Sequence, residues 1–184
     1  MEDRAQILDG LPASIATTIE PQEVAATSSR EPEDLWREFA AKLSSLGGRM
    51  AEISEIEALQ NETVWTDDDA RTLLKGRFPS NPAEIWSAKI GITTADLAVA
   101  ESGSLLLSAQ PGRRRMASLS PEIHVVLIPK DRIVATLEEA LAKLPDRTNV
   151  LITGTSRTAD IESVLVRGVH GPREVWVVVL NPEP

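Results

Sequence analysis

The spacing of apolar positions changes from one stretch of this chain to the next, and each spacing predicts an element. Leu35, Trp36, Phe39, Leu43 and Leu46 fall on one face of a helix. Pro32 suits the first position of that helix, where its missing N–H costs nothing, and Gly47-Gly48 ends it. Met50 to Ile53 reads as a strand, and Asp67 to Lys75 as a helix capped by Thr66. From Lys89 the pattern shifts to strands. Leu97 to Glu101 and Ser104 to Ser108 form a hairpin around Ser102-Gly103, because glycine accepts the positive φ of a tight turn. Ile123 to Pro129 is a nearly unbroken apolar run, the mark of a strand buried on both faces. Ile133, Leu137, Ala140, Leu141 and Leu144 repeat at helical spacing up to Pro145. Asn149 to Thr153 is read as a strand, Ala159 to Arg167 as a helix, and Val175 to Leu180 as a last buried strand. Strands alternating with helices predict an α/β fold, a mostly parallel sheet flanked by helices. Residues 1–31 read as a partly mobile N-terminal arm with a short helix near Arg4 to Leu11, and 32–184 as one α/β domain.

Composition narrows the function. A length of 184 residues suits a single domain. The formal net charge of −9 repels phosphate backbones, and 3% aromatic residues leave little to stack on bases, so nucleic acid is not the expected partner. There is no cysteine, which removes disulfides, thiol nucleophiles and the usual iron–sulfur ligation from this chain. No apolar run approaches the roughly 20 residues of a membrane span. Asp3, Asp9 and Pro12 interrupt what would be a signal-peptide core. The expected setting is cytoplasmic.

Chemistry concentrates in two segments where polar groups crowd against apolar strands, Gly91 to Leu107 and Thr153 to Pro172. Glu101 ends one arm of the hairpin beside Ala100. Partial desolvation there would raise its pKa and suit it to act as base or nucleophile, against the plainer use of accepting N–H bonds within its own turn. Asp96 could share a site with Glu101 and split the two pKa values, or could cap a turn after Thr93-Thr94. Gly103 and Ser104 lie in the same turn and join the candidate ligand set. Thr155, Ser156, Arg157 and Thr158 follow a strand and a glycine and are read as opening a helix, an arrangement that suits an anion. Arg157 would add a forked donor, while ordinary capping explains the hydroxyls equally well. The two histidines, His124 and His170, could move protons near neutral pH or could satisfy structural hydrogen bonds. No ligand spacing supports a metal site. Arg113, Arg114 and Arg115 could recognise phosphate groups of a nucleotide or CoA or form a solvated loop; one of them is expected to turn inward, and Arg115 is taken as that residue.

Four separated motifs also carry a resemblance. They are Gly91 to Leu107, Gly112 to His124, Ser156 to Glu162 and Gly168 to Pro172. In order and spacing, over Glu33 to Leu180, the chain resembles the LUD domain family, in its lactate utilization protein C form. The resemblance implies a fold similar to that of ribose-5-phosphate isomerase and the CoA transferases. It implies a component of L-lactate utilization, the oxidation of lactate to pyruvate, working with iron–sulfur partner proteins. On that reading the chain carries no redox centre or other cofactor, and Arg157 with the Thr155-Ser156 turn would hold a small organic acid. The other reading is an enzyme of the CoA-transferase or sugar-phosphate-isomerase kind, using Glu101 as nucleophile or base with His170 and Asp96 beside it.

Overall fold

The computed structural model describes residues 30–78, 81–82, 84–159 and 165–181; the expected N-terminal helix lies outside them. In chain order the helices are α1 (Pro32–Ser45), α2 (Ile53–Glu57), α3 (Asp68–Leu73) and α4 (Leu137–Ala142). The strands are β1 (Arg49–Met50), β2 (Val64–Thr66), β3 (Ile90–Thr94), β4 (Leu97–Val99), β5 (Ser104–Ser108) and β6 (Ile123–Pro129). They continue with β7 (Ile133–Val134), β8 (Asn149–Thr153), β9 (Arg157–Ala159), β10 (Leu165–Arg167) and β11 (Glu174–Leu180). No helix among the described residues is long and apolar enough to cross a membrane.

Five strands form one wholly parallel sheet in the order β1-β11-β6-β3-β2. Its central strands alternate between two covered faces, as the two-residue period of a strand requires. Ile90, Ile92, Val125, Leu127 and Val178 pack with Ile56 of α2 and Ala70 of α3. Val126, Ile128 and Val177 point the other way, onto Trp36, Phe39 and Leu43 of α1. Ala98, Leu105 and Leu107 of a second, four-stranded sheet, ordered β7-β4-β5-β8, close the same core. The reverse face of that sheet sends Leu97, Val99 and Leu106 onto Ala140 of α4.

Local chemistry explains most boundaries. Pro32 opens α1, and Leu35, Trp36, Phe39 and Leu43 are its buried face. Trp36 meets Phe39 edge-on at 5.3 Å and donates its indole N–H to the Lys130 carbonyl at 2.8 Å, so the buried ring leaves no polar atom unpaired. The β4–β5 hairpin turns at Gly103, whose φ is +66°. A side chain there would also meet the backbone nitrogen of Leu43 at 2.7 Å, so the turn sits directly against α1.

Four expectations change. The expected strand at Met50 to Ile53 shrinks to Arg49–Met50, because Glu52 and Glu55 form a reciprocal capping box that starts α2 at Ile53. The cap of α3 is Asp67, not Thr66; its carboxylate accepts from the Ala70 N–H at 2.6 Å. Ile133 does not begin a helix. The β-branched pair Ile133-Val134 instead pairs in parallel with β4, and α4 starts only at Leu137, capped by Thr136. The described residues of the helix expected at Ala159 to Arg167 are strands instead: Arg157–Ala159 and Leu165–Arg167 pair as an antiparallel ribbon.

Candidate functional site

The carboxyl ends of parallel strands are where α/β sheets bind ligands, because the loops there leave a crevice over the sheet edge. In this molecule the ends of β3 and β6 open on a cleft, and a second cleft shares part of its lining. The first, of about 330 Å³, is lined by Thr94, Ala95 and Asp96 after β3, by Pro129 of β6, and by Asp69 and Thr72 of α3. The other, of about 350 Å³, runs along β5 past Ser108 and Gln110. Asp96, Arg113 and Arg132 belong to both.

Asp67 ties together the strand ends behind the first cleft. It follows β2 directly and is 2% exposed. Besides capping α3, it accepts from the Thr94 backbone N–H at 2.9 Å and the Thr94 hydroxyl at 3.3 Å, which ties the end of β2 to the end of β3. Burial holds its carboxyl above the usual aspartate range, even though the Ala70 and Thr94 N–H groups favour the charged form. Asp67→Ala removes a helix cap and a buried inter-strand tie together. We expect it to lower the unfolding free energy by about 2 kcal/mol, read as a drop in urea midpoint at unchanged m-value.

Arg113 is the centrepiece. Its Nε donates to Asp69 Oδ2 at 2.7 Å and its Nη1 to Asp96 Oδ1 at 2.7 Å, with only 16% of the side chain exposed. Asp96 spends its other oxygen on the Ser108 backbone N–H at 2.6 Å. One guanidinium therefore joins α3, the β3–β4 link and the turn after β5. The inward arginine of the three is Arg113, not Arg115. Arg115 is exposed at the start of a short 3₁₀ turn, and Arg114 lies over the Trp65 ring at 5.4 Å. Two carboxylates converge only where Arg113 can reach them, and that selects it.

The structure brings Asp96 into this crevice and leaves the other candidates elsewhere. Glu101 sits at the far end of β4 from Asp96, a separation of roughly 16 Å at strand rise. It is exposed rather than desolvated, and its carboxylate accepts from the Leu137 N–H at the start of α4 at 2.7 Å. Ser104 is buried with its hydroxyl between those of Ser102 and Thr153, at 2.9 and 2.8 Å. The expected anion turn is already occupied by backbone. The Thr155 N–H and hydroxyl both donate to the Leu46 carbonyl, and the Ser156 N–H donates to Pro172. Arg157 and Thr158 lie in a strand rather than at a helix start; they pair with Arg167 and Val166 across the β9–β10 ribbon. His170 is exposed in the link between β10 and β11.

His124 is wholly buried at the amino end of β6. Its Nε2 lies 2.9 Å from the Thr93 hydroxyl, and its Nδ1 has no partner. Burial drives its pKa down to about 3, so the ring is neutral and unsuited to proton transfer near pH 7.

Asp67, Asp69, Arg132, Lys143 and Arg147 do not stand out in the sequence. A capping signal could have identified Asp67, since it stands three residues before Ala70 at a helix start. Nothing in local pattern marks the other four, which come together only through the fold.

A model of the LUD domain family matches residues 37–180. Lactate utilization protein C of Macrococcus caseolyticus is 40% identical over 103 residues, covering 51% of this chain and 45% of the relative. The protein of that name from Shouchella clausii is 34% identical over 128 residues, covering 65% and 52%. That from Anoxybacillus flavithermus is 39% identical over 128 residues, covering 67% and 55%. The chain thus spans about half the length of the curated relatives it matches. Among solved structures, a DUF162 family protein from Deinococcus radiodurans superposes with a TM-score of 0.55 at 19% identity, over 82% of this chain and 98% of that one. That likeness shows a shared fold.

Proposed function

The chain belongs to the LUD domain family, and from that premise we propose that it serves L-lactate utilization as an accessory component of the oxidation of lactate to pyruvate. The observation that carries the reading is the match to several proteins named for lactate utilization, at 34% to 40% identity over 103 to 128 residues. The matched span includes the strand ends and loops that build the Arg113 crevice.

In this reading the chain works beside iron–sulfur proteins and carries no redox centre of its own. The absence of cysteine supports that division of labour, because cluster ligation by thiolates would have to come from a partner. The proposed role is to bind and position, with the electrons passing through other proteins.

The test is growth on L-lactate of a strain lacking the protein. Restoration by the wild-type gene, with growth on glucose unchanged throughout, is the expected result. A deletion strain that grows normally on L-lactate overturns the proposal. Glu101→Gln is expected to restore growth as well as wild type does. Glutamine keeps an acceptor for the Leu137 N–H, and losing a charge at an exposed helix start costs about 0.5 kcal/mol. A loss of lactate oxidation on the order of a hundredfold, with the variant folded and expressed, would instead place Glu101 in the chemistry.

A further inference from the structure

The two clefts that share Arg113 are lined by four cations. Arg113 comes from the turn after β5, Arg132 from the link between β6 and β7, Lys143 from the carboxyl end of α4, and Arg147 from the loop before β8. Against them stand two carboxylates, Asp69 and Asp96, and both are already committed to Arg113. Among the described residues neither Arg132 nor Lys143 has a side-chain ion pair. Arg147 donates to the neutral side-chain amide oxygen of Gln110, Oε1, at 2.6 Å.

This concentration runs against the chain as a whole, which carries 28 acidic residues against 19 Lys and Arg. Random placement would give most exposed cations an acidic neighbour, as Arg37 has in Asp34 and Arg49 in Glu55. Here four separate segments deliver like charges to one concave surface, where low-dielectric walls concentrate the field. Arg113 is offset by its two aspartates, and the repulsion among Arg132, Lys143 and Arg147 is relieved when an anion enters.

We propose that this crevice is a binding site for a small organic molecule carrying at least two oxyanion groups, carboxylate or phosphate. Two anionic groups follow from the layout. Arg132 faces both clefts, while Lys143 and Arg147 line only the one beside β5. A single carboxylate reaches one part of that span and leaves the remaining cations uncompensated. The volumes, about 330 and 350 Å³, fall at the small end of ligand sites, which excludes a whole nucleotide cofactor buried in either cleft alone. Guanidinium forks at Arg132 and Arg147 bind such groups through paired hydrogen bonds, and Lys143 adds a point charge. The site stands on its own electrostatics and holds whether or not the lactate reading does.

Titration calorimetry in low salt, with succinate, citrate, fructose 1,6-bisphosphate, inorganic phosphate and L-lactate as separate probes, tests it. Saturable binding of succinate, citrate or fructose 1,6-bisphosphate is expected, at least tenfold tighter than inorganic phosphate or L-lactate. Which probe binds best distinguishes a carboxylate from a phosphate ligand. The double variant Arg132→Gln/Lys143→Gln is expected to weaken that binding by about tenfold or more, since each lost charged hydrogen bond costs on that scale. Arg37→Gln, an exposed cation of α1 paired with Asp34, should leave it unchanged. No saturable binding by any of the three probes with two or more oxyanion groups overturns the proposal. So does equal binding by the double variant, or an equal loss in Arg37→Gln, which would mean that only overall charge is sensed.

Discussion

Gly91→Ala is expected to lower the unfolding free energy by about 3 kcal/mol, the upper part of the range for overpacked cores. Gly91 is the second residue of β3, which pairs on one side with β2 and on the other with β6. Its conformation is not the reason glycine is there. The chain bearing the 3₁₀ turn Arg115–Ser118 crosses β3 so closely that a β-carbon on Gly91 would stand 1.9 Å from the Ala117 carbonyl oxygen. The Pro121 ring would be 2.8 Å away. Backbone on one side and a ring on the other cannot swing aside as a long side chain would, so either β3 or the crossing segment must move. That movement reaches the crevice, because Arg113 and Arg115 are carried on the same crossing segment. Urea unfolding measures the loss of stability. Gly76→Ala is the comparison: its φ is positive, at +70°, but nothing lies within 4 Å, so only backbone strain enters. If Gly91→Ala costs no more than Gly76→Ala, the close crossing is not a constraint.

How far the sequence shows this arrangement depends on the range of the interaction concerned. The α1 face, the β4–β5 hairpin, β6, β8 and β11 are legible because each is announced within its own few residues, by period, by Gly103 or by an unbroken apolar run. The parallel sheet follows from their alternation. The ribbon of β9 and β10 is not legible. Ile161 and Leu165 stand at helical spacing, and only the pairing of Leu165 with Ala159 and of Arg167 with Arg157 decides for a strand. Tertiary pairing overrides local preference in such short segments.

The site is less legible than the fold. Asp96 stands out for its position among apolar residues, and it does line the crevice. Its partner does not, because the contest among Arg113, Arg114 and Arg115 is decided by Asp69, forty-four residues earlier in the chain. Glu101 attracts attention for a desolvation that the structure does not provide. The turn ends at the protein surface, and the carboxylate holds the start of α4. Thr155 reads as an anion ligand, yet the electronegative group it serves is the carbonyl of Leu46 at the end of α1. Hydroxyls near a glycine turn mark a place where backbone groups need partners. Whether the partner is a ligand or another part of the chain is settled only by what packs beside it.

His124 sets up the second large effect, a loss of stability in acid. In the folded protein its pKa is about 3, below the ordinary 6.5, because burial penalises the charged ring. The native state therefore binds fewer protons than the unfolded chain between those two values. The stability contributed by the neutral ring is complete above pH 6.5 and falls as the pH drops toward 3. Between pH 7.5 and 4.5 this one group removes roughly 2 to 3 kcal/mol, because each pH step of one below 6.5 favours the protonated unfolded chain by about 1.36 kcal/mol. His124→Leu separates it from the carboxylates that titrate in the same range. Leucine suits a site walled by apolar strands and leaves only the Thr93 hydroxyl without its partner. The carboxylates remain common to both proteins, so their contribution cancels in the comparison. Wild type should lose roughly 2 to 3 kcal/mol more than His124→Leu between the two pH values, measured by urea unfolding. Equal losses would mean that the ring takes up its proton in the native state near the ordinary pKa. Water would then have to reach Nδ1, the buried atom left without a partner.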